Sequence, residues 1–455
     1  MAATFVVIGG GITGLVASLR LAQAGADVTL LEGSDRLGGK IRTATLDTAT
    51  IELGADSFLP RDDRPLALCR EVGVAEELIE PSDFGAWVYS DGRLHRMPTG
   101  TVLGAPTSLA PLASSGLLSW RGKARAAMDL LGFRPLSGPD VSVAFLIRSR
   151  LGAEVLERMV DPLLAGTRAG DVAEMSLAAA IPPVNAAARS DGSLIRGLRR
   201  ASRRAAGKPA FYAPQGGMSR LTEAIEAKLQ TVQVRKGERV ASLGRDGSSF
   251  RIETERTSLQ ADAVMVTTPS YRAAELLGDL DSDATTGLAS IPHASSAVVN
   301  LLFPPGGVSL PNGGSGVLVP SKERMTLAGC TWFSRKWPQH EAADGAITVR
   351  CFVGRSDRDP ALDLDDRDLA GVVATELSRL IEVTQAPLRH HVQRWDRGLP
   401  QYEVGHLDRV DRIESALARR GPIAVAGSSY RGSGIPDCIA QAETAAQALL
   451  DRVRR

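Results

Sequence analysis

The chain has 455 residues, is 44% hydrophobic and carries a formal net charge of +1. That length exceeds a single compact core and implies two or three domains, and the near-neutral balance excludes a general attraction to nucleic acid or acidic surfaces. The four cysteines, Cys69, Cys330, Cys351 and Cys438, are scattered without a C-x-x-C, which suits neither a zinc site nor a disulfide framework and points to a reducing compartment.

Thr4 to Ile8 is predicted as a buried parallel strand. It enters the turn Gly9-Gly10-Gly11-Ile12-Thr13-Gly14, a helix over Leu15 to Ala24 and a second strand over Val28 to Leu31 that ends at Glu32. This is a dinucleotide fingerprint. Gly9 permits the turn, Gly11 lets the backbone approach a pyrophosphate, and Gly14 lets the helix pack close to the sheet. The helix N-terminus offers N–H groups to the phosphates, and Glu32 suits a ribose and repels a 2′-phosphate. The start of the chain has no basic region, apolar run and cleavage site of a signal peptide. No stretch approaches the ~20 apolar residues of a membrane-spanning helix, so a cytoplasmic protein is expected.

Trp87 to Pro98 reads as a hairpin turning at Ser90-Asp91-Gly92. Residues 99 to 206 read mainly as helices, including Arg121 to Leu131, Val141 to Leu151 and Ala153 to Leu163. Arg189 to Lys208 is arginine-rich and reads as a boundary or a mobile loop. Met218 to Leu229 has helical spacing. Strands are expected at Val232 to Val234, Glu238 to Leu243, Phe250 to Glu255 and Ala263 to Thr267. A strand-rich region from 291 to 394 is broken by a helix from Leu369 to Ile381. Ile423 to Gly427 reads as a strand entering a glycine turn, and a helix from Cys438 to Val453 closes the chain.

The expected fold is therefore α/β (α+β): a discontinuous Rossmann-like domain, a mixed-sheet substrate domain and a helical subdomain. The first comprises 1–83, 208–270 and 395–455, the second 84–98 and 271–394, and the third 99–207. The stretch from 103 to 133 mixes Leu109, Leu112, Leu117, Leu118 and Trp120 with Arg121, Lys123 and Arg125. It reads as a helical lid over a cavity, or as an amphipathic element on a membrane surface.

The fingerprint does not choose between NAD and FAD. Gly38-Gly39 follows Glu32, flanked by Arg36 and Arg42. A second glycine pair suits a cofactor whose long axis continues past the pyrophosphate, with the arginines offsetting phosphate charge. The alternative is an ordinary surface turn with a solvated basic flank. The loop Gly427 to Asp437 can likewise aim N–H groups at the edge of a flavin that gains negative charge on reduction, or serve as a plain strand-to-helix turn.

Five segments resemble the FAD-dependent protoporphyrinogen/coproporphyrinogen oxidases of haem synthesis, within the amine-oxidase-like flavoproteins. They are Glu52 to Leu59; Leu164 to Asp171 leading to Met175-Ser176-Leu177 and Ile181-Pro182; Gln215-Gly216-Gly217-Met218 with Leu221; Arg394-Trp395 with Leu399 to His406; and Gly427 to Ile439. The resemblance spans nearly the whole chain in order. It departs from the family at Thr167-Arg168, where a hydrophobic-aromatic pair is common, and at Ser433, which replaces a small apolar residue.

The resemblance implies a non-covalent FAD held by Gly9, Gly11, Ile12, Thr13, Gly14, Glu32, Gly38, Gly39, Lys40, Arg42, Gly54, Ala55, Asp56, Ser57, Val240, Trp395, Gly427, Gly434 and Ile435. It implies a porphyrinogen substrate, oxidised by six electrons in three two-electron steps, with oxygen as acceptor and hydrogen peroxide released. No side chain is expected to act as a catalytic acid or base, because the flavin carries the hydride transfer. Arg61, Arg168 and Gly166 are the expected substrate contacts, the arginines matching propionate carboxylates. His406 is expected to be structural, and the adjacent His390-His391 to point to opposite faces of a strand, not to a shared metal. The bacterial coproporphyrinogen III form is the leading expectation and protoporphyrinogen IX the alternative. A flavin amine oxidase or desaturase, or a non-catalytic flavin-containing porphyrin carrier, is more distant. Contact with a membrane surface and with other haem-pathway enzymes is compatible with the resemblance.

Overall fold

The computed structural model describes residues 2–60, 62–83, 85–204, 211–278, 280–355 and 359–454. A five-stranded parallel sheet gathers the start, middle and end of the chain. Its order is Gln233–Lys236, Asp27–Glu32, Thr4–Ile8, Ala263–Val266 and Ile423–Val425. Strand alternation sends successive residues to opposite faces. Phe5 and Val7 meet the helices Ile12–Gln23 and Ile435–Val453 through Leu15 and Ile439. Val6 and Ile8 meet Leu243, Phe250, Leu288 and Val410 on the other side. A sheet covered on both faces needs near-continuous apolar strands, which is how these segments read.

A second, mixed sheet of seven strands runs in the order Arg389–Pro400, His293–Phe303, Ile347–Val353, Leu327–Trp332, Gly316–Leu318, Trp87–Ser90 and Arg93–Arg96. One face, with Ala297, Val299, Leu301 and Cys351, packs on the helix Asp366–Leu377 through Leu369, Val373 and Leu377. The opposite face carries Asn300, Arg350 and Trp395 toward the parallel sheet and its loops. His390 and His391 lie on the edge strand, on alternate faces.

The helical segments between 110 and 204 surround a core of their own, which includes Leu112, Leu117, Leu118, Leu146, Val155 and Leu198. Leu112, Leu117 and Leu118 thus turn inward, whereas Trp120, Met128, Leu131 and Phe133 stay exposed. The mobile loop expected within Arg189 to Lys208 is corrected over its middle: 205–208 lie outside the described residues, and Leu194–Arg204 is a helix. Leu194, Ile195 and Leu198 form its buried stripe. Arginine is itself a good helix former, so the polar run hid the periodicity. Two helix ends also move. The Asp365 side chain caps the helix that begins at Asp366, which ends at Leu377 and not at Ile381. The last helix begins at Ile435, three residues before Cys438, with Pro436 in its first turn.

Candidate functional site

The fingerprint turn is shaped by backbone contact. Gly9 has φ +108°, and a Cβ on Gly14 would lie 1.9 Å from the Gly9 carbonyl oxygen. Gly11 caps the helix Ile12–Gln23 without a side-chain bond, and a Cβ there would meet no protein atom within 4 Å. The first-turn N–H groups at Ile12 and Thr13 therefore open onto space that a phosphate fits. Glu32 braces the turn: Oε2 accepts from Gly10 N at 2.7 Å, and Oε1 accepts from Ser34 N and Oγ at 2.8 Å. Oε2, with a single donor, retains acceptor capacity for a ribose. Val240 begins a strand just after Glu238, whose N–H donates to the Glu32 carbonyl at 2.9 Å.

The second glycine pair lies on the first. Gly38 N donates to Gly10 O at 2.8 Å, and a Cβ on Gly39 would stand 3.1 Å from Gly11 Cα. A Cβ on Gly54 would fall 1.8 Å from the Lys40 carbonyl oxygen and 3.4 Å from Trp395 Cζ2. A seam of close backbone contact thus runs from Gly11 through Gly39 and Lys40 to Gly54. Along it, Gly54, Ala55, Asp56 and Ser57 are half-buried between the fully buried Leu53 and Phe58.

The charged groups divide. Lys40 Nζ lies 3.2 Å from Ser428 Oγ, and burial lowers its pKa. No carboxylate pairs with it among the described residues, so an anionic ligand suits it. Arg36, expected to offset phosphate charge, instead fastens its own turn through Gly39 O at 2.5 Å and Leu37 O at 3.0 Å. Arg42 is exposed and donates to Gln393 Oε1 at 3.1 Å. Asp56 is committed elsewhere, 2.8 Å from Lys336 Nζ and 3.5 Å from Arg350 Nη1. Burial opposes its ionisation, yet Lys336 and Arg350 hold its pKa well below the usual carboxylate range.

The sheet grips the strap from Glu52 to Asp56. Asn300 Nδ2 donates to Glu52 O at 3.3 Å, Trp395 Nε1 to Leu53 O at 2.7 Å, and Arg350 Nη2 to Gly54 O. Asn300 and Arg350 did not emerge from sequence reasoning. The available signal was a polar residue inside each of the apolar strands Ala297–Phe303 and Ile347–Val353.

The C-terminal loop is held from beneath. Tyr402 Oη donates to Ser428 O at 2.6 Å and accepts from Gly432 N at 3.1 Å. Its ring stacks on His406 with centroids 4.1 Å apart, and His406 Nε2 lies 2.7 Å from Tyr430 O. Burial lowers the His406 pKa to about 4, so the ring is neutral and donates to that carbonyl. Gly427 has φ +132°, and Gly434 caps the helix that starts at Ile435. Arg168 approaches this loop, with Nη2 donating to Ala180 O at 3.0 Å and Nη1 at 3.5 Å from Ser433 Oγ. Gly166 sits two residues earlier in the same helix, where a Cβ would be 3.8 Å from Ala328 O. Arg61 lies outside the described residues.

The residues present fit a flavin dinucleotide: an open helix N-terminus, a side-chain-free seam and an enclosed cation without a carboxylate partner. Among the described residues no helix is long and apolar enough to cross a membrane, and no cluster of His, Cys, Asp and Glu is placed to hold a metal.

The chain matches the family described as flavin containing amine oxidoreductase over residues 12–450. It is 36% identical to a coproporphyrinogen III oxidase of Bacillus subtilis (strain 168), over 97% of this chain and 96% of that one. It is 30% identical to a protoporphyrinogen oxidase of Bos taurus, over 99% of each chain. A solved structure from Exiguobacterium sp. 255-15, assigned as a protoporphyrinogen oxidase, superposes with a TM-score of 0.88 at 31% identity, over 99% of each chain. The chain belongs to the flavin-containing amine oxidoreductases, on the branch that these porphyrinogen oxidases represent.

Proposed function

We propose that this protein oxidises coproporphyrinogen III to coproporphyrin III in the cytoplasm, with oxygen as electron acceptor, as a step in haem synthesis. The observation that carries this reading is the 36% identity to a coproporphyrinogen III oxidase across nearly the full length of both chains. Three molecules of oxygen take six hydrogens from the macrocycle and leave as three of hydrogen peroxide. FAD, bound non-covalently, supplies the two-electron chemistry at each of the three steps.

The chain's own residues bind and orient. Gly9, Gly11, Ile12, Thr13 and Gly14 would receive the pyrophosphate and Glu32 the ribose, with Val240 beside it. Gly38, Gly39, Lys40, Gly54 to Ser57, Gly427, Gly434 and Ile435 would line the path of the flavin. We assign these to a discontinuous FAD-binding domain (1–83, 208–270 and 395–455), opposed by a substrate domain (84–98 and 271–394) and a helical subdomain (99–207). Arg168, with Gly166 on the same helix, would face the substrate, and a propionate would displace the long Ser433 contact. Trp120 and Leu131 form the apolar edge that would touch a membrane or a pathway partner.

The test is turnover in air of coproporphyrinogen III against protoporphyrinogen IX, followed by porphyrin fluorescence beside an enzyme-free control. Faster oxidation of the coproporphyrinogen supports the proposal. The second reading, protoporphyrinogen IX, is favoured by the match to the Bos taurus enzyme, and a reversed preference would select it. No turnover of either by the FAD-loaded protein would point to an amine oxidase or a carrier.

A further inference from the structure

Asn300, Arg350 and Trp395 come from three strands that are neighbours in the seven-stranded sheet. Asn300 stands directly opposite Arg350, and Trp395 opposite Ser296. Strand alternation therefore places all three on one face. Their donors take three consecutive carbonyl oxygens, those of Glu52, Leu53 and Gly54. Asn300 is 0% and Arg350 3% exposed. A donor buried so deeply in an apolar strand is costly unless satisfied, so a strap shifted by one residue would leave these donors unmatched. Arg350 adds a second hold, since Asp56 at the far end of the strap lies between it and Lys336.

The strap also meets the Gly39-Lys40 turn. Gly54 has no room for a Cβ there, because the Lys40 carbonyl oxygen would be 1.8 Å away. The strap is held both by the sheet and by the seam that begins at Gly11. Neither can shift without moving the other.

We propose that Asn300, Arg350 and Trp395 are positioning residues, which lock the Leu53–Ser57 strap to the substrate-side sheet and so set the placement of the flavin relative to that sheet. The inference rests on the reading of this strap as a flavin contact. It assigns the alignment of cofactor and substrate to three side-chain donors that act through the strap.

The test uses Trp395→Phe, which keeps a half-buried ring and removes the indole N–H, and Asn300→Leu, which removes the amide donor at similar volume. Each variant, loaded with FAD, is measured for flavin absorption, flavin midpoint potential, melting temperature, and kcat and KM for coproporphyrinogen III. The expected result is full flavin content with shifted absorption and potential. With it, kcat falls about tenfold or more while KM changes less than about twofold. Unchanged absorption, potential and kcat with only a lower melting temperature would overturn the proposal and leave a structural seam. Weakened flavin retention with normal kcat at saturating FAD would overturn it too, because the donors would then govern affinity and not placement. Absorption and potential require no substrate, so they remain decisive even if the porphyrinogen reading fails.

Discussion

Arg168 meets Ser433: the guanidinium Nη1 lies 3.5 Å from the hydroxyl oxygen. The sequence reads both positions as departures from the porphyrinogen oxidase resemblance, and they sit side by side where the helix Asp161–Arg168 meets the loop that precedes the last helix. At 3.5 Å the contact is weak, whereas the bond from Nη2 to Ala180 O is well formed at 3.0 Å. Nη2 thus helps to anchor the guanidinium beside a loop assigned to the flavin.

Arg168→Ala is expected to raise KM for the tetracarboxylic substrate about ten- to a hundredfold, as losing a charge-assisted hydrogen bond of ~1.5–3 kcal/mol implies, with flavin content intact. Ser433→Ala should leave KM nearly unchanged. Steady-state kinetics on both variants checks the pair, and an unaltered KM in Arg168→Ala would remove the residue from substrate recognition.

The fingerprint glycines should separate folding from cofactor binding. A Cβ at position 14 collides with Gly9 O, so Gly14→Ala is expected to lower the melting temperature of the flavin-free protein. A Cβ at position 11 meets no protein atom, so Gly11→Ala should melt like the parent without flavin yet hold FAD at least about tenfold more weakly, because the methyl enters space read as the pyrophosphate's. Melting curves with and without added FAD distinguish the two.

Glu52 gives the fold an alkaline weakness. Its carboxyl is 0% exposed, bonded to Met218 N at 2.6 Å and to Thr43 Oγ1 at 3.0 Å, and burial pushes its pKa up to about 8. A carboxyl that keeps its proton in the folded state favours folding fully below its unfolded pKa and loses that contribution as pH rises to about 8. The loss is at most about 1.4 kcal/mol per pH unit. Urea midpoints from pH 6 to 9 should fall for the parent and fall less for Glu52→Gln. Equal slopes would count against the assignment.

His293 and His406 act in the acid range. Burial lowers both pKa values to about 4. The unfolded chain takes up these protons near pH 6.5 while the folded chain does not, so stability is present above pH 6.5 and declines as pH falls toward 4. Each ring contributes up to about 1.4 kcal/mol per pH unit in that window. His406→Gln should flatten the decline measured by urea unfolding between pH 6.5 and 4.5.

The parallel sheet was legible because fully buried strands are apolar at every position, and the fingerprint because its glycines are spaced by the turn itself. The Leu194–Arg204 helix was not, since a narrow stripe of Leu194, Ile195 and Leu198 was diluted by arginines. Arg36 and Arg42 show the limit for the site. Their charge suggested phosphates, but whether a guanidinium turns inward or toward Gln393 depends on which strand tertiary packing brings alongside. Asn300 and Arg350 illustrate the same point in reverse, because their partners lie more than two hundred residues earlier in the chain.

The order of strands in the parallel sheet has a consequence for synthesis. Thr4–Ile8, at its centre, pairs with Ala263–Val266, and the edge Ile423–Val425 comes near the end. On the ribosome the N-terminal strands wait, apolar on both faces, until more than half of the chain has emerged. The helix Ile435–Val453, which covers the first helix, is translated after all five strands of that sheet. A transcript that stops anywhere before residue 423 would therefore yield a chain with an open sheet edge and an uncovered apolar face, a substrate for proteases and chaperones and not a smaller enzyme.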